Sequence, residues 1–140
     1  MSKLRQIPYR YSKQWQTPVE VSITRRADCK GKAMLLYEIM REKGVTDVRF
    51  IIGKRRASDW FTHAWLEWET ADGTYLLDPT FNRRAVRMQR ESREAYVPLF
   101  AYEGVLRYRV LNPTGPTEIP LRAVAAGKPS WPLFNLNNLE

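Results

Sequence analysis

The chain is poor in the side chains that most often build metal centres and covalent cross-links. Its 140 residues include one cysteine and one histidine. A single cysteine excludes an intrachain disulfide, so the sequence gives no sign of an oxidising compartment. One thiol and one imidazole also fall short of the usual zinc ligands, and we expect no metal. If the protein does chemistry with a soft nucleophile or an imidazole base, Cys29 and His63 are the only candidates.

Long apolar segments are also lacking. No run approaches the roughly 20 residues that cross a bilayer, and residues 1–8 have no apolar stretch of the kind found in a signal peptide. We therefore expect a cytoplasmic protein without a membrane partner. The length suits one domain, which we interpret as residues 1–140, with a core at about 13–112 and an extended, proline-containing tail at 113–140.

The charge balance is strongly basic. The net charge of +8 arises from 23 basic and 15 acidic residues, which favours an acidic partner. If residues 83–95 were helical, Arg83, Arg87 and Arg90 would share one face, flanked by Arg84 and Arg93. A basic binding module is thus one hypothesis. A solvated charged face explains the same pattern more simply, so we expect no nucleic-acid partner.

Residues 30–43 have the clearest helical pattern in the chain. Apolar side chains at helical spacing are Ala33, Leu36, Tyr37 and Met40. Met34, Leu35 and Ile39 fill a second face, which is typical of a buried helix. Asp28 can cap the start of this helix, and Gly44 stands where a C′ residue is favoured.

Alternation predicts two antiparallel strands at residues 63–69 and 75–78, joined by a turn at the pair Asp72-Gly73. Further predicted elements are a short helix at 19–23 and strands at 48–53 and 105–111. The expected class is α+β, with the buried helix packed on an antiparallel sheet.

Three residues with the chemistry of a cysteine hydrolase stand at the ends of these elements. Cys29 opens the buried helix, where unpaired N–H groups favour a thiolate. His63 opens one strand and Asp78 closes the next, which suits an imidazole base and the carboxylate that orients it. Taken singly, each has a simpler explanation: a small core residue, a structural histidine and a turn residue. Their joint arrangement favours a catalytic triad.

The simplest hairpin register does not bring His63 and Asp78 together. With a two-residue Asp72-Gly73 turn they share a face of the sheet, but Asp78 stands opposite Glu67. That position is four residues from His63, or roughly 13 Å along the strand. Contact requires a turn shifted toward Thr70-Ala71, or a bulge.

Three sequence blocks resemble the transglutaminase-like superfamily. They are Asp28-Cys29-Lys30-Gly31-Lys32-Ala33, His63-Ala64-Trp65-Leu66-Glu67 and Leu77-Asp78-Pro79-Thr80. The preceding Trp15-Gln16-Thr17-Pro18-Val19-Glu20 is similar to a segment of the bacterial transglutaminase-like cysteine proteinases. The resemblance covers roughly residues 13–82 and implies a papain-like core with Cys29 as nucleophile, His63 as base and Asp78 as orienting residue.

The resemblance also implies an oxyanion hole and an activity. The Cys29 backbone N–H would form the hole together with a donor from the segment Gln14, Trp15 and Gln16. Some of these proteinases bind calcium at acidic residues after the cysteine; here Lys30 and Gly31 take those places, and Lys13 stands where an aspartate commonly precedes the tryptophan. We therefore expect no cofactor.

The expected function is a hydrolase or acyltransferase that attacks a protein or peptide amide through a thioester. We favour a peptidase, because water is always available as the acyl acceptor. The alternatives are a basic module that binds nucleic acid or protein, and an inactive pseudoenzyme on the same fold.

Overall fold

The computed structural model describes residues 1–89, 94–104, 106–110 and 121–123. In chain order, the helices and strands are α1 (Ser2–Arg5), α2 (Pro18–Thr24), α3 (Cys29–Glu42), β1 (Val48–Lys54), β2 (His63–Thr70), β3 (Gly73–Leu77), β4 (Val86–Arg87), β5 (Val97–Glu103), β6 (Leu106–Val110) and β7 (Leu121–Ala123). Within the described ranges the strands form one antiparallel sheet in the order β4-β3-β2-β1-β5-β6-β7. This mixed architecture confirms the expected α+β class.

Helix α3 forms where the sequence predicts the buried helix. The Asp28 carboxylate caps its start by accepting the Gly31 N–H at 3.1 Å, and Gly44 follows its end with a φ of 83°. This left-handed conformation is easily adopted by glycine at a helix C′ position. The helix packs on the central strands β1 and β2.

Each face of the sheet carries its own apolar cluster. The face toward α3 contributes side chains that include Val48, Phe50, Ala64 and Leu66 to a core shared with the helix. The opposite face holds a smaller cluster of Ile51, Trp65, Leu76, Met88, Tyr96 and Ala101. The predicted alternation in β2 is therefore confirmed, with Ala64 and Leu66 on the helix side and Trp65 on the other.

The β2–β3 hairpin turns one residue earlier than the Asp72-Gly73 prediction. Thr70 pairs with Gly73, so residues 71 and 72 form the turn and Gly73, with a φ of 119°, begins β3. The predicted turn was wrong because the positive φ falls on the first paired residue rather than within the two-residue loop. The shift brings Asp78 two residues nearer to His63 along the ladder.

The predicted helix over residues 83–95 was wrong for residues 83–89, whereas residues 94 and 95 are helical. Val86 and Arg87 instead form β4, paired with Leu76 and Tyr75 of β3. Pairing with the open edge of β3 provides backbone hydrogen bonds that override the helical spacing of the arginines. Arg83 and Arg87 consequently do not share a helix face; Arg90 and Arg93 lie outside the described residues.

Strand β5 is an element that was not predicted from the sequence. It pairs with β1, and the register shifts between Ile52 and Gly53. A Cβ placed on Gly53 would lie 2.2 Å from the Val97 carbonyl oxygen, so glycine allows β5 to approach here. In the described part of the chain, no helix is long and apolar enough to cross a membrane.

Candidate active site

The start of α3 exposes the only thiol of the chain to a partly open environment. Cys29 is the first residue of the helix and is half-buried. The preceding Asp28 is buried, and its carboxylate accepts the backbone N–H groups of Gly31 and Ser12, at 3.1 and 3.2 Å. These bonds fix the helix start and tie the segment before α2 to it.

His63 and Asp78 meet at the end of the β2–β3 ladder. The imidazole Nε2 of His63 lies 2.8 Å from Oδ2 of Asp78. Asp78 is fully buried and His63 is 9% exposed, so little water competes for this contact. Because Asp78 occupies Nε2, the other ring nitrogen, Nδ1, remains available to a second partner.

The protonation of His63 depends on both predicted partners. Burial lowers its pKa, but the hydrogen bond with Asp78, the hydrogen bond with Cys29 and the charges of both outweigh burial and raise the pKa to about 9. Burial raises the pKa of Asp78, whereas the hydrogen bond and charge of His63 lead the effects that bring it below its ordinary value. Asp78 and Cys29 are therefore the side chains that keep the pKa of His63 above its ordinary value.

Asp78 is held by more than the imidazole. Its Oδ1 accepts the backbone N–H groups of Thr80 at 2.9 Å and Phe81 at 3.2 Å, and its Oδ2 also accepts the hydroxyl of Tyr96 at 2.9 Å. Burial, followed by the charge of Asp78, raises the pKa of Tyr96, which keeps this hydroxyl a donor. The carboxylate therefore has a fixed position and a single ionised state at neutral pH.

The ring of Phe81 and the guanidinium of Arg55 close the outer side of this network. The Phe81 ring centroid lies 5.3 Å from that of His63, and the Arg55 guanidinium carbon lies 3.9 Å from the Phe81 ring centroid. Arg55 also lies over the Tyr96 ring at 5.6 Å. These contacts restrict the imidazole on the side away from α3.

The segment predicted to complete an oxyanion hole lies near α3, but its three residues differ in exposure and in the groups that they contact. Gln14 is exposed, whereas Trp15 is half-buried with its ring 5.9 Å from that of Phe50. Gln16 reaches the first turn of α3: a Cβ on Gly31 would lie 3.3 Å from Gln16 Oε1. Its Nε2 donates to the Arg26 carbonyl at 3.2 Å, while the buried Oε1 has no hydrogen-bond partner.

A lysine binds the carboxylate beside the thiol. The Lys30 ammonium contacts Asp28 Oδ2 and donates to the Ser12 carbonyl at 2.6 Å, and it lies 5.3 Å from the centre of the Tyr11 ring. A calcium ion needs six to eight oxygen ligands. Here one carboxylate is already paired with an ammonium, and the described residues contain no cluster of three or more potential metal-ligating side chains. These residues do not fit a calcium site.

The sequence did not indicate two of these supporting residues. Tyr96 precedes a strand that was not predicted, and no local pattern relates it to Asp78. Lys30 was noted only as a departure from an acidic motif. Its spacing of two residues from Asp28, at a helix start, was the available signal that the two side chains could meet.

Known proteins provide a structural likeness without a close sequence relative. No family model and no curated protein matches the chain. Solved structures of Legionella pneumophila LapG do match: the EGTA-treated form has a TM-score of 0.67 over 78% of this chain, and the calcium-bound form 0.63 over 76%, each at 17% identity. The chain spans 62% of the length of those LapG chains. At this identity the likeness shows the fold, which is that of LapG.

Proposed function

We propose that the protein is a cysteine peptidase in which Cys29 is the nucleophile, His63 the acid–base and Asp78 the residue that orients the imidazole. The observation that carries this proposal is the 2.8 Å contact between His63 and the buried Asp78, beside a thiol at a helix start. LapG, whose fold the chain has, is a bacterial transglutaminase-like cysteine protease, which supports the same assignment.

Each side chain has a separate task in this mechanism. The thiolate of Cys29 attacks the amide carbonyl carbon, and protonated His63 gives its Nδ1 proton to the leaving amine, so that the C–N bond breaks and a thioester remains. Water then attacks the thioester while Nδ1 accepts a proton, which releases the acid and restores Cys29. Asp78 holds Nε2 throughout and stabilises the imidazolium.

The electrostatics of the site suit the resting state of this mechanism. The pKa of His63, about 9, keeps the imidazole protonated at neutral pH beside Cys29. The protonated imidazole can give its Nδ1 proton to the leaving amine. The acid that the first step needs is therefore present before a substrate arrives.

Stabilisation of the tetrahedral oxyanion is assigned to the backbone N–H of Cys29 and the side chain of Gln16. Gln16 lies against the first turn of α3, whereas Gln14 is exposed and Trp15 packs in the core. The Gln16 amide has two N–H donors, and the one that does not bond the Arg26 carbonyl would donate to the oxyanion. Trp15 would then act by fixing the backbone of the segment.

Hydrolysis is favoured over amine transfer because water reaches a half-buried thiol without a dedicated acceptor site. A basic nucleic-acid module is the second candidate, and its predicted helical arginine face is not formed by residues 83–89. An inactive pseudoenzyme would keep the same contacts without turnover. The reactivity of Cys29 separates the enzyme from the basic module, and turnover of a peptide substrate separates it from the pseudoenzyme.

The test exploits the single cysteine. Carbamidomethylation by iodoacetamide, followed by intact-protein mass spectrometry from pH 4 to 10, reports Cys29 alone. We expect the native protein to react faster at pH 6 than the same chain in urea, and His63→Ala to abolish that advantage. If the native thiol follows the pH profile of the urea-unfolded chain, and His63→Ala leaves it unchanged, the proposal is wrong.

A further inference from the structure

The end of the molecule that carries Cys29 and His63 also carries a set of exposed aromatic side chains. Among the described residues, five aromatic side chains are largely exposed, and we call them the aromatic rim: Tyr9 (58%), Tyr11 (68%), Trp60 (94%), Phe61 (85%) and Phe81 (46%). Exposing large apolar rings to water is unfavourable. Contiguous exposed patches of this kind commonly mark binding surfaces.

Two members of the aromatic rim lie on the side of the thiol. Tyr9 forms an isolated parallel bridge with Ala27, two residues before Cys29, and its pKa is raised by burial and then by the charge of Cys29. Tyr11 is 5.3 Å from the Lys30 ammonium, one residue after Cys29. The other members lie on the side of the imidazole: Trp60 and Phe61 stand three and two residues before His63, and the Phe81 ring contacts the imidazole.

Positive charge accompanies the aromatic rim. The chain from β1 to β2 carries Lys54, Arg55 and Arg56 against one carboxylate, Asp59, which accepts the Arg56 backbone N–H at 3.1 Å. After Asp78, residues 79–89 contain three arginines and no carboxylate. Lys54, Arg55, Arg56, Arg83 and Arg84 follow strand ends at the Cys29–His63 end of the sheet, because Gly53 pairs with His63. Arg87 instead pairs with Tyr75 in β4 and lies beside Gly73, at the other end.

At the opposite end of the sheet, carboxylates outnumber basic residues. The end of α3, the β2–β3 turn and the start of β1 carry several carboxylates: Glu38, Glu42, Asp47, Glu69 and Asp72. The basic residues there are fewer: Arg41, Lys43, Arg87 and Arg49, which already pairs with Glu69 and Glu103. Positive charge is therefore concentrated at the end of the molecule that carries the thiol, and it would attract a negatively charged ligand there.

We propose that the aromatic rim and its flanking cations bind an acidic segment of a protein substrate that carries an aromatic or large aliphatic side chain. This inference rests on the proposed function. The rim brackets a thiol and an imidazole whose chemistry requires an acyl carbon, which a peptide contains and a nucleic acid lacks. Arginines and aromatic rings would otherwise suit single-stranded nucleic acid, so that ligand is included in the test.

Binding is measured by fluorescence anisotropy with the full-length Cys29→Ala protein. The probe is a labelled 12-residue peptide of glutamates and glycines with one central phenylalanine. Matched probes replace the glutamates by lysines, or the phenylalanine by alanine, and a fourth probe is a 12-nucleotide oligo-dT. We expect the acidic phenylalanine peptide to bind at least about tenfold more tightly than each of the other three.

Protein variants then locate the binding surface. Trp60→Ala with Phe61→Ala removes two exposed rings and should weaken binding about tenfold, whereas Leu106→Ala, an exposed apolar residue at the far end, should not. Arg84→Glu should weaken binding and the equal charge change Lys43→Glu should do so much less. Equal binding of the lysine peptide, tighter binding of oligo-dT, absence of peptide binding, or unchanged binding by the double variant would overturn the inference.

The two proposals fail separately. Iodoacetamide is small and uncharged and does not need the aromatic rim, so labelling of the wild-type protein tests the peptidase by itself. An unreactive thiol together with acidic-peptide binding refutes the peptidase and leaves a binding surface. A reactive thiol without peptide binding refutes only the proposal that the aromatic rim binds an acidic segment.

Discussion

His63 and Asp78 make a 2.8 Å contact although they do not stand opposite each other in the β2–β3 ladder. Leu66 pairs with Leu77, and one further step places Asp78 beside Trp65. The two members of the contact are thus diagonal neighbours on one face, separated by about 7 Å between backbones. A histidine and an aspartate are long enough to close that gap, and the Tyr96 hydroxyl and two backbone N–H groups hold the aspartate in the required position.

The first prediction concerns the proton of His63. Because the chain has one histidine, a single imidazole Hε1 signal in the proton NMR spectrum reports its titration. We expect a pKa of about 9 in the native protein. Asp78→Asn should bring the pKa down toward 6.5, and Cys29→Ala should lower it by a smaller amount. A native value near 6.5 would contradict the arrangement.

The second prediction is a pH dependence of stability. The pKa of His63 is raised on folding from 6.5 to about 9, so its contribution is complete below pH 6.5 and is lost as the pH rises through 9. At full strength it is of the order of 3 kcal/mol. Urea unfolding of the native protein and of His63→Ala should show their difference shrinking between pH 6.5 and 9.5. A constant difference would refute this linkage.

The contribution of Asp78 to stability has the opposite pH dependence: it is lost as the pH falls. Its pKa is lowered in the folded protein, so its contribution is present above the unfolded value, near 3.8, and disappears as the pH falls through the folded one. Acid unfolding followed by circular dichroism should begin at higher pH in Tyr96→Phe, because one bond to the carboxylate is missing. Tyr108→Phe, a half-buried tyrosine on the same side of the sheet, is the matched control and should behave as wild type.

A third test concerns the oxyanion hole. Removal of one such donor typically costs about 10²–10³ in kcat. We expect that loss in Gln16→Ala once a cleavable substrate is available, with little change in KM, while Gln14→Ala keeps wild-type turnover. Similar rates for both variants would assign the donor elsewhere.

Lys30 gives a further prediction. Lys30→Met keeps most of the side-chain length but removes the ammonium that joins Asp28 to the Ser12 carbonyl. It leaves a buried carboxylate without its cation, so the melting temperature should fall by several degrees, whereas the exposed Lys13→Met should not change it. Because Lys30 already neutralises Asp28, the thiol of the native protein should react equally in EDTA and in calcium. Acceleration by calcium would show that a metal competes for this carboxylate.

The sequence allowed the elements around the thiol to be predicted because their patterns are local. Helix α3 has apolar residues at helical spacing with a cap at each end, and β2 alternates cleanly. Strand β5 has no such pattern: Pro98 interrupts it, and it forms because the register shift beside Gly53 lets a proline pair without an N–H donor. The register shift that accommodates Pro98 depends on Gly53 in β1, so it cannot be recognised from the sequence of β5 alone.

The residues of the candidate site also divide into those that local patterns predict and those that depend on the pairing of distant strands. Cys29, His63 and Asp78 were singled out because each stands at the end of a predictable element. The contact between the last two depended on a hairpin register that shifted by one residue at the turn. Tyr96 could not be connected with Asp78, since only the pairing of β5 with β1 brings it to the carboxylate.

The dependence on β5 has a consequence for synthesis and folding. A chain translated only through β3 already contains the thiol, the imidazole and the carboxylate, but it lacks Tyr96 and the strand that neighbours β1. Long-range antiparallel pairing is slow because the chain loses the entropy of loop closure before the stabilising contacts form. The thiol, the imidazole and the carboxylate therefore come together late, after the strand order is complete, and a nascent or truncated chain that ends before Tyr96 should lack the raised pKa of His63.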